Sequence, residues 1–486
     1  MTDITIDILC HADFSGRLRR SVDDAGMPVF AGRLRQARQA NPEGTILLDA
    51  GDGFCTNFWG GRPTVEALNM IGTDAMTLGN HEFDRGEAFL DDCVAACRFD
   101  VLCANIRHKA DGTPVSGTRP YVIIQRQGVR IGILGLTTEY TPYMVEKTAM
   151  EPFETISAAA AANEYIPQMR AQGAEAIVAL THMPFYFDGQ GRISGELADL
   201  LAAIPPVEVA IGGHIPGDYA QTVGTTCVIK AGFGGRSLGH ARLVFDQDHH
   251  LVDRGCDVSL TDRDGAADPD MAAYIATVVG PFESYFSQPL SRADERWAVR
   301  LAVECKVGDF LADALRYGGR TEVAYMNATS SGGAIEPGAV TRETITRVNG
   351  FNDLICTGVM TGQQLYELME AVYQPERFGN NAALFISGFH AVLDHTRPYP
   401  HKVVALTLAD GTPIDRRRTY TVATSAYMAS GGNGTEALAG QVAWHKSQLH
   451  FYDAAFAYAQ TMEVLTVADY PRLAETGHPE NDNAPF

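Results

Sequence analysis

The chain has 486 residues, 45% of them hydrophobic, and a formal net charge of -21. One hydrophobic core rarely grows to this length, so we expect two domains that each bury their own core. The acidic balance argues against a nucleic-acid polymer or an anionic membrane as the main partner, because either would be repelled by the average surface field. A site that handles phosphate esters on such a protein would need bound cations.

The expected location follows from the start of the chain and from the cysteines. Residues 1–6 enter a strand-like alternation at once, without the basic and long apolar segments that form a secretion signal. The nine cysteines are odd in number and scattered, and Cys93 and Cys97 lie at helical spacing, which indicates reduced thiols. No apolar run approaches the roughly 18 residues that a membrane span needs. We therefore expect a cytoplasmic protein.

Residues 1–262 alternate short apolar runs with amphipathic stretches, a pattern typical of a layered α/β domain. The predicted strands are Ile4 to Cys10, Thr45 to Asp49, Ala75 to Leu78, Tyr121 to Ile124, Arg130 to Leu136, Ala176 to Thr181, Val209 to Ile211 and Thr226 to Lys230. Each ends near a polar or glycine-rich turn. Ligands of open α/β sheets gather at the carboxyl ends of strands, so these turns are where a site is expected.

The rest of the chain is predicted to form a linker, a second domain and a tail. Residues 263–300 form the linker, with a helix from Met271 to Phe286; residues 301–474 form a second α/β domain; residues 475–486 are a polar tail. The elements predicted in the second domain are helices from Gly308 to Tyr317 and from Gly362 to Val372, and strands around Val323 to Met326, Val403 to Leu408 and Tyr420 to Thr424.

Five strand ends in the first domain carry residues that bind divalent ions. They are Asp13 in His-Ala-Asp-Phe-Ser-Gly, Asp52 in Asp-Ala-Gly-Asp-Gly-Phe, Asn80 and His81 in Gly-Asn-His-Glu-Phe-Asp, His182 in Leu-Thr-His, and His214 in Gly-Gly-His. A single Asp or His after a strand is usually a turn former or a helix cap. Five of them in one α/β domain favour a metal site.

This series resembles the motifs of the calcineurin-like metallophosphoesterases, which are Asp-x-His, Gly-Asp, Gly-Asn-His-Glu, a single His and Gly-His-x-His. Residues 79–82, which read Gly-Asn-His-Glu after an apolar strand, are the most specific element. The resemblance implies that the first domain is a four-layer α/β/β/α sandwich.

The second domain resembles the carboxy-terminal domain of 5'-nucleotidases. The resemblance lies in residues 327–338, 352–354, 361–365, 385–388 and 429–434. The whole chain thus resembles the 5'-nucleotidase family, in which the second domain binds the nucleoside and swings to present the phosphate to the metals.

The resemblance also implies which residues of the second domain contact a substrate. Asn327 opens one matching segment, and Tyr427 matches one of two stacking positions for the base. The other stacking position falls on Ala383, for which Phe385 and Phe389 are stand-ins, although core packing is the favoured assignment for both Phe residues.

By motif position, Asp52 would bridge two ions, and Asn80, His182 and His214 would complete one of the two sites. An amide with two imidazoles suits Zn, Mn, Fe or Co. His81 would reach the ester oxygen and stabilise or protonate the leaving group. Asp84 would fix the tautomer of His81, although a carboxylate there can also simply favour a helix N-terminus.

The other metal site departs from the family pattern at two places. Ser15 stands where the first motif has its His, and Pro216 stands where the last motif has its second His or Gln. Asp13 and the shared Asp52 can still hold a hard ion such as Mg, Mn or Ca with several waters. The alternatives are that this site is empty or that it recruits His11 or Cys55, two neighbours that more often serve as packing.

A further departure concerns the phosphate, since Gly332 stands where the second domain usually has a phosphate-binding Arg. The leading hypothesis is a metal-dependent phosphoric-ester hydrolase with metal-activated water as nucleophile. Its partner would be a small phosphate ester, most simply a nucleotide, with a phosphodiester or a non-nucleotide phosphate as alternatives. Ser15, Pro216 and Gly332 also motivate a non-catalytic metal-binding protein, or a single-ion enzyme, for example with iron, of different chemistry. The oligomeric state is left open.

Overall fold

A computed structural model describes residues 3–21, 24–54, 58–299, 303–373 and 384–477. The chain folds into two compact units, Met1–Pro281 and Phe282–Ala484. The boundary falls within the segment 263–300, for which the sequence predicts a linker.

Two six-stranded sheets form the centre of the N-terminal unit. One has the order β16-β15-β1-β2-β3-β4 and the other the order β13-β14-β12-β9-β7-β6. The strands of this unit are β1 (Ile4–His11), β2 (Thr45–Asp49), β3 (Ala75–Thr77), β4 (Asp100–Leu102), β5 (Ile106–His108), β6 (Tyr121–Arg126), β7 (Val129–Thr137), β8 (Phe153–Thr155), β9 (Ala176–His182), β10 (Tyr186–Phe187), β11 (Ile193–Ser194), β12 (Val209–Ile211), β13 (Tyr219–Val223), β14 (Thr226–Lys230), β15 (Ser237–Phe245) and β16 (Leu251–Leu260).

Strands β1 to β4 of the first sheet and β7, β9, β12 and β14 of the second are parallel, whereas β6, β13, β15 and β16 run antiparallel to their neighbours. Parallel strands covered on both faces are continuously apolar, as the fully buried runs of β2 and β9 are. The two sheets face each other across one core, to which Ile8 and Leu48 contribute from the first sheet and Val178 and Ile211 from the second.

Helices cover the outer faces of both sheets. The helices of this unit are α1 (Met27–Gln39), α2 (Arg62–Met70), α3 (Glu87–Ala96), α4 (Thr141–Met144), α5 (Ala158–Ala171), α6 (Glu196–Ala203) and α7 (Pro269–Val279). Helices α5 and α6 pack on the second sheet, and α1 to α3 follow β1 to β3 as crossovers of the first sheet. The four-layer α/β/β/α sandwich is confirmed.

The predicted linker helix is interrupted. Helix α7 ends at Val279, a 3-10 turn covers Gly280–Phe282, and α8 (Glu283–Phe286) follows. Pro281 has no backbone N–H and clashes with the preceding turn, so it breaks the helix that the apolar periodicity predicted. Helix α7 itself belongs to the N-terminal unit, where the Tyr274 hydroxyl donates to the Pro63 carbonyl at 2.8 Å.

The C-terminal unit is a second α/β unit around a five-stranded sheet of order β23-β19-β26-β22-β27. Its strands are β17 (Pro289–Ala293), β18 (Trp297–Ala298), β19 (Val323–Asn327), β20 (Ala334–Ile335), β21 (Gly338–Thr341), β22 (Leu354–Thr361), β23 (Leu384–Ser387), β24 (Phe389–Asp394), β25 (Val403–Leu408), β26 (Thr419–Ser425), β27 (His445–His450) and β28 (Leu473–Thr476). Its helices are α9 (Lys306–Gly319), α10 (Arg342–Val348), α11 (Gly362–Val372), α12 (Ala426–Ala429), α13 (Glu436–Ala439) and α14 (Phe451–Ala459). Thr361 and Gln364 form a reciprocal capping box at the start of α11. Within the described residues, every helix is too short or too polar to cross a membrane.

Candidate metal centre

Strand ends from both sheets of the N-terminal unit supply the residues that the motifs single out. Asp13, Asp52 and Asn80 follow β1, β2 and β3 of the first sheet. His182 ends β9 and His214 follows β12 of the second sheet. Because these strands are parallel within each sheet, their carboxyl ends lie at one edge, where the two sheets bring the five side chains together.

The backbone at this edge is held in an uncommon conformation. Asp13, Asp52 and His214 have φ values of 54°, 53° and 75°, in the left-handed region that non-glycine residues rarely adopt. Such conformations persist where the surrounding structure enforces them, and they cluster at functional sites. Space is also limited, since a Cβ on Gly79 would lie 2.1 Å from Oδ1 of Asp52. The glycine of the Gly-Asn-His-Glu motif is therefore needed for the Asp52 carboxylate to fit.

His182 has the geometry of a metal-ligating histidine. Its Nδ1 lies 2.7 Å from the Ala50 carbonyl, to which it donates, so that Nε2 carries the lone pair. This Nε2 lies 3.1 Å from Oδ2 of Asp52 and is buried with no hydrogen-bond partner in the described part of the chain. A buried, unpartnered imidazole nitrogen aimed at a carboxylate fits a bound cation.

His214 and Asn80 complete this side of the site. Nδ1 of His214 lies 2.9 Å from Oδ1 of Asn80, and one ligand atom each of Asp52, His182 and His214 lie within 4.8 Å of one another. The amide nitrogen of Asn80 is buried, with no hydrogen bond to any residue that the structure describes. One carboxylate, one amide and two imidazoles are thus close enough to share one divalent ion.

Glu82 holds this arrangement in place, a role that the sequence analysis did not assign. The side chain is fully buried, and its carboxylate accepts hydrogen bonds from the backbone N–H groups of Asp52 at 2.8 Å and Gly79 at 2.7 Å. It thereby ties the loop after β2 to the loop after β3. Its place in the Gly-Asn-His-Glu motif was the available signal.

His81 and Asp84 form a hydrogen-bonded pair beside the metal ligands. Nδ1 of His81 lies 2.8 Å from Oδ2 of Asp84, and the His81 backbone N–H donates to Oδ1 of Asp52 at 2.9 Å. The His81 side chain is 22% exposed. The imidazole is therefore oriented by a carboxylate, linked to Asp52 and still accessible from solvent.

The charges of the site shift the pKa values of its members. Burial lowers the pKa of His182, but the Asp52 carboxylate outweighs it and raises the pKa to about 9. Burial also lowers the pKa of His81, but the Asp84 and Asp52 carboxylates outweigh this effect and raise the pKa to about 10. Burial and the charge of His182 lower the pKa of His214 to about 3. A bound cation would push the pKa of each imidazole downward and keep the ligand nitrogens unprotonated.

Asp13 lies at the other side of the site, where Ser15 and Pro216 stand in place of the family's other metal ligands. Its two carboxylate oxygens accept the His214 backbone N–H at 3.1 and 3.2 Å, and Oδ1 lies 3.9 Å from Nε2 of His182. The Ser15 hydroxyl donates to the Asp52 carbonyl at 3.2 Å, and Pro216 offers no ligand atom. The Asp13 side therefore offers fewer side-chain ligands for an ion than the side formed by Asp52, His182 and His214.

Two neighbours were considered as substitute ligands, and the structure describes one of them, His11. His11 is fully buried, packs edge-on against Phe14 and Phe30, and its Nδ1 lies 3.8 Å from Oδ1 of Asp49. Neither ring nitrogen of His11 makes a hydrogen bond to a described residue. Cys55 lies outside the described residues.

In the C-terminal unit, β19 and β26 are neighbouring parallel strands; Asn327 is the last residue of β19, and Tyr427 lies two residues after the end of β26. Nδ2 of Asn327 donates to the Thr329 hydroxyl at 2.8 Å, and Asn327 lines a small cavity together with Asn349, Phe351 and other residues. The Tyr427 hydroxyl accepts the Asn433 backbone N–H at 3.1 Å. A Cβ on Gly432 would lie 2.4 Å from the Tyr427 ring, so the glycine turn packs directly on that ring.

Phe385 is a core residue of the C-terminal unit. It is fully buried, and a Cβ on Gly308 would lie 2.2 Å from its ring, which shows how closely helix α9 packs on it. Phe389 is also fully buried. A ring in this environment has no face available for a substrate, so the structure places Phe385 among packing residues. Ala383 lies outside the described part of the chain.

Gly332 lies in open space: a Cβ at this position would have no heavy atom within 4 Å among the described residues. Its backbone N–H donates to the Val348 carbonyl at 3.1 Å. The position usually held by a phosphate-binding Arg is therefore left without a side chain.

Comparisons with known proteins cover nearly the whole chain. A sequence model of the 5'-nucleotidase C-terminal domain matches residues 288–440. The snake venom 5'-nucleotidase of Naja atra is 27% identical, over 91% of this chain and 93% of its own length. The 5'-nucleotidase of Homo sapiens is 24% identical, over 96% of this chain and 90% of its own length.

A solved structure agrees with these sequence matches. The 5'-nucleotidase precursor of Thermus thermophilus superposes with a TM-score of 0.85 at 21% identity, covering 98% of this chain and 100% of that one. At this identity the similarity speaks for the fold, and the sequence matches extend through both units. From fold and sequence together, the chain is similar to 5'-nucleotidases along nearly its whole length, and residues 288–440 match the model of their C-terminal domain.

Proposed function

We propose that the chain hydrolyses a phosphate ester of a nucleotide with the help of a divalent metal ion. One observation carries the proposal: a buried set of Asp52, His182, His214 and Asn80 lies next to the solvent-accessible pair of His81 and Asp84. A site that only stabilised the fold would have no need of an oriented, accessible imidazole.

The four ligand residues would hold the ion, which when bound would lower the pKa of a water and polarise the phosphoryl oxygens. Imidazole and amide ligands suit Zn, Mn, Fe or Co. Asp13 is a further carboxylate at this edge, and for a second ion there Mg, Mn or Ca would be the candidates. Asn80 would contribute its amide oxygen. Glu82 holds the two ligand-bearing loops together, because its carboxylate accepts the backbone N–H groups of Gly79 and Asp52.

His81 would act on the leaving group. Asp84 holds Nδ1, so a proton on the ring can be presented by Nε2 to the ester oxygen as the bond to phosphorus breaks. The link from the His81 backbone N–H to Asp52 keeps the ring at a fixed distance from the metal ligands. The 22% exposure of the side chain lets a substrate oxygen reach it.

The nucleotide part of the proposal depends on the C-terminal unit and on the relatives. Tyr427 offers a partly buried ring held by the glycine turn, and Asn327 borders a small cavity. The relatives that match both units are named 5'-nucleotidases. Gly332 favours a second candidate, a phosphodiester or a non-nucleotide phosphate, because a cation that would recognise a terminal dianion is missing there.

A location in the cytoplasm remains a prediction. The described cysteines are all free thiols, which is compatible with a reducing compartment.

The test is an assay of metal-stripped protein reloaded with Mn, Zn, Fe or Co and given nucleoside monophosphates and diester model substrates. We expect hydrolysis that requires the ion and falls strongly in Asn80→Ala and His81→Ala, while His240→Ala, which alters an ion pair with Asp7 away from the site, retains activity. Activity that is indifferent to both site variants, or absent with every metal and ester, would contradict the proposal.

A further inference from the structure

Three carboxylates and one arginine meet in the interior of the C-terminal unit. Glu304, Asp309, Asp313 and Arg472 are all buried. Glu304 precedes α9, Asp309 and Asp313 lie on α9, and Arg472 directly precedes β28. A buried carboxylate is stable only where hydrogen-bond donors or cations compensate its charge, and one arginine is too little for three of them.

Arg472 anchors residues 468–476, which we call the C-terminal segment. Its Nη1 donates to the Ile386 carbonyl at 2.7 Å, and its Nη2 donates to Oδ2 of Asp313 at 2.8 Å. The backbone N–H groups of Arg472 and of the next residue donate to the two carboxylate oxygens of Glu304. The C-terminal segment is thereby tied to α9, to β23 and to the loop before α9.

The three carboxylates differ in how their oxygens are satisfied. Glu304 accepts two backbone N–H groups, and Asp313 accepts hydrogen bonds from Arg472 and from the Ser387 hydroxyl. Both oxygens of Asp309 are buried without a hydrogen-bond partner in the described part of the chain. Nε of Arg472 lies 3.9 Å from Oδ2 of Asp309, which is beyond hydrogen-bond distance. Asp309 is therefore the carboxyl group with the least compensation.

A bound proton fits Asp309 better than a metal ion does. Among the described residues, these carboxylates do not form a group whose oxygens lie close enough to share one ion, and Arg472 would repel a divalent cation. Burial raises the pKa of Asp309 to about 9; the Arg472 charge opposes this rise, and the Glu304 and Asp313 charges add to it. Burying the neutral acid costs much less than burying the carboxylate.

Other titratable or charged side chains surround this cluster, namely those of Cys305, Lys306, Arg316, Tyr458 and Tyr470. Burial raises the pKa of Tyr458 to about 12 and raises that of Tyr470 as well, so both phenols stay neutral below about pH 9. Lys306 forms an ion pair with Glu295, and Arg316 donates to a serine hydroxyl of β23 at 2.7 Å. Both cations thus have partners other than Asp309.

We propose that Asp309 carries a proton in the folded protein at neutral pH and makes the C-terminal segment a pH-sensitive anchor, which loosens as the pH rises. The inference does not rest on the proposed function. When the segment opens, Asp309 reaches water, its pKa returns towards the usual 3.8 and its proton passes to solvent. The stabilising effect is therefore fully present below about pH 4 and is lost as the pH rises towards about 9.

The experiment follows hydrogen exchange of the C-terminal segment by mass spectrometry in the full-length protein, from about pH 5 to pH 8. Asp309→Asn keeps the shape of the side chain but has no proton to lose. At each pH, the exchange rate of the unaltered protein is divided by that of Asp309→Asn, which cancels the intrinsic pH dependence of exchange. Because opening releases one proton, this ratio should rise by about ten-fold per pH unit.

Glu370→Gln is the matched control, since Glu370 is a buried carboxylate of the same unit that does have donors. It accepts the backbone N–H groups of Lys402 at 3.1 Å and Val403 at 2.7 Å. For residues 402–408, the ratio between the unaltered protein and Glu370→Gln should stay constant with pH.

Infrared spectroscopy checks the proton directly. At pH 7 the unaltered protein should show the carbonyl stretch of a protonated carboxyl group that Asp309→Asn lacks. A pH-independent exchange ratio for the C-terminal segment, or infrared spectra that do not differ in this band, would overturn the inference. If Asp309→Asn does not fold, exchange of residues 468–476 is divided by exchange of residues 402–408 within the unaltered protein. The same rise with pH is then expected, and a constant value would contradict it.

Discussion

The candidate metal centre of the N-terminal unit and the substrate-contact positions of the C-terminal unit differ in how the fold treats them. At the metal centre, Asp52 and His182 are buried, paired and held in place by backbone hydrogen bonds. In the C-terminal unit, Phe385 is a fully buried core residue, and Gly332 has no side chain that could contact a substrate. The side chains of the metal centre are therefore fixed in position, whereas the substrate-contact positions do not identify one substrate. The difference separates the claim of ester hydrolysis from the claim of a nucleotide substrate, and each can be tested alone.

The largest expected effect is the loss of a metal ligand. His182→Ala should lower the rate of hydrolysis by at least about 10³-fold, because the ion supplies several kcal/mol of transition-state stabilisation. Metal bound after dialysis should fall in parallel. His240→Ala serves as the matched control, since its imidazole pairs with Asp7 and Asp257. Full activity in His182→Ala would remove the metal centre from the mechanism.

The next effect concerns the acid beside the ligands. His81→Ala should lower kcat by about 10²- to 10⁴-fold, and Asp84→Asn by about 10- to 100-fold, because the first removes a proton donor and the second only its orientation. Metal content should stay unchanged in both variants, unlike in His182→Ala. Loss of the ion in His81→Ala would make His81 part of the metal site instead.

The comparison is sharpened by a stability measurement in the C-terminal unit. Phe385→Ala should lower the free energy of unfolding by about 3–5 kcal/mol, since it removes a fully buried ring packed on α9. Val392→Ala, at a side chain that is 41% exposed, should change it by less than about 0.5 kcal/mol. Denaturant unfolding followed by circular dichroism would measure both. A stable Phe385→Ala with a raised KM would return Phe385 to the substrate site.

A smaller effect tests the missing phosphate ligand by restoring it. Gly332→Arg places a guanidinium in open space and should lower KM for a nucleoside 5'-monophosphate by about 10-fold, because a charge-assisted hydrogen bond contributes about 1.5–3 kcal/mol. Gly332→Gln controls for bulk, and Gly440→Arg, at another open glycine, controls for added charge. An unchanged KM in Gly332→Arg would favour a substrate without a terminal dianion.

The smallest expected effect is at the stacking position. Tyr427→Ala should raise KM for a nucleoside monophosphate by about 2- to 10-fold, in line with about 0.5–1.5 kcal/mol for an aromatic contact. Tyr427→Phe should keep most of the affinity, since the ring remains when the hydroxyl bonded to Asn433 is removed. Steady-state kinetics with a non-nucleoside phosphate supplies the control: a base-stacking residue should leave its KM unaltered.

Much of the fold could be predicted because buried parallel strands and capped helices leave strong local patterns. Strands β2, β12 and β14 and helix α11 begin and end at the predicted residues. The antiparallel pair of β15 and β16 was not predicted. Strand β16 is half-exposed, and its polar residues obscure the alternation of apolar and polar residues that indicates a strand. The linker helix was predicted too long because apolar periodicity ran on through Pro281.

The amino-acid sequence by itself determined which side chains could bind an ion, because motif residues such as Asp52, Asn80 and His214 follow apolar strands at recognisable turns. It also showed that Ser15 and Pro216 break the pattern. Only the tertiary structure decided that His182 from one sheet meets Asp52 from the other, since contacts between sheets leave no trace in local spacing. It alone revealed that Lys230 is fully buried, because a lysine at the end of an apolar strand would be expected to reach water.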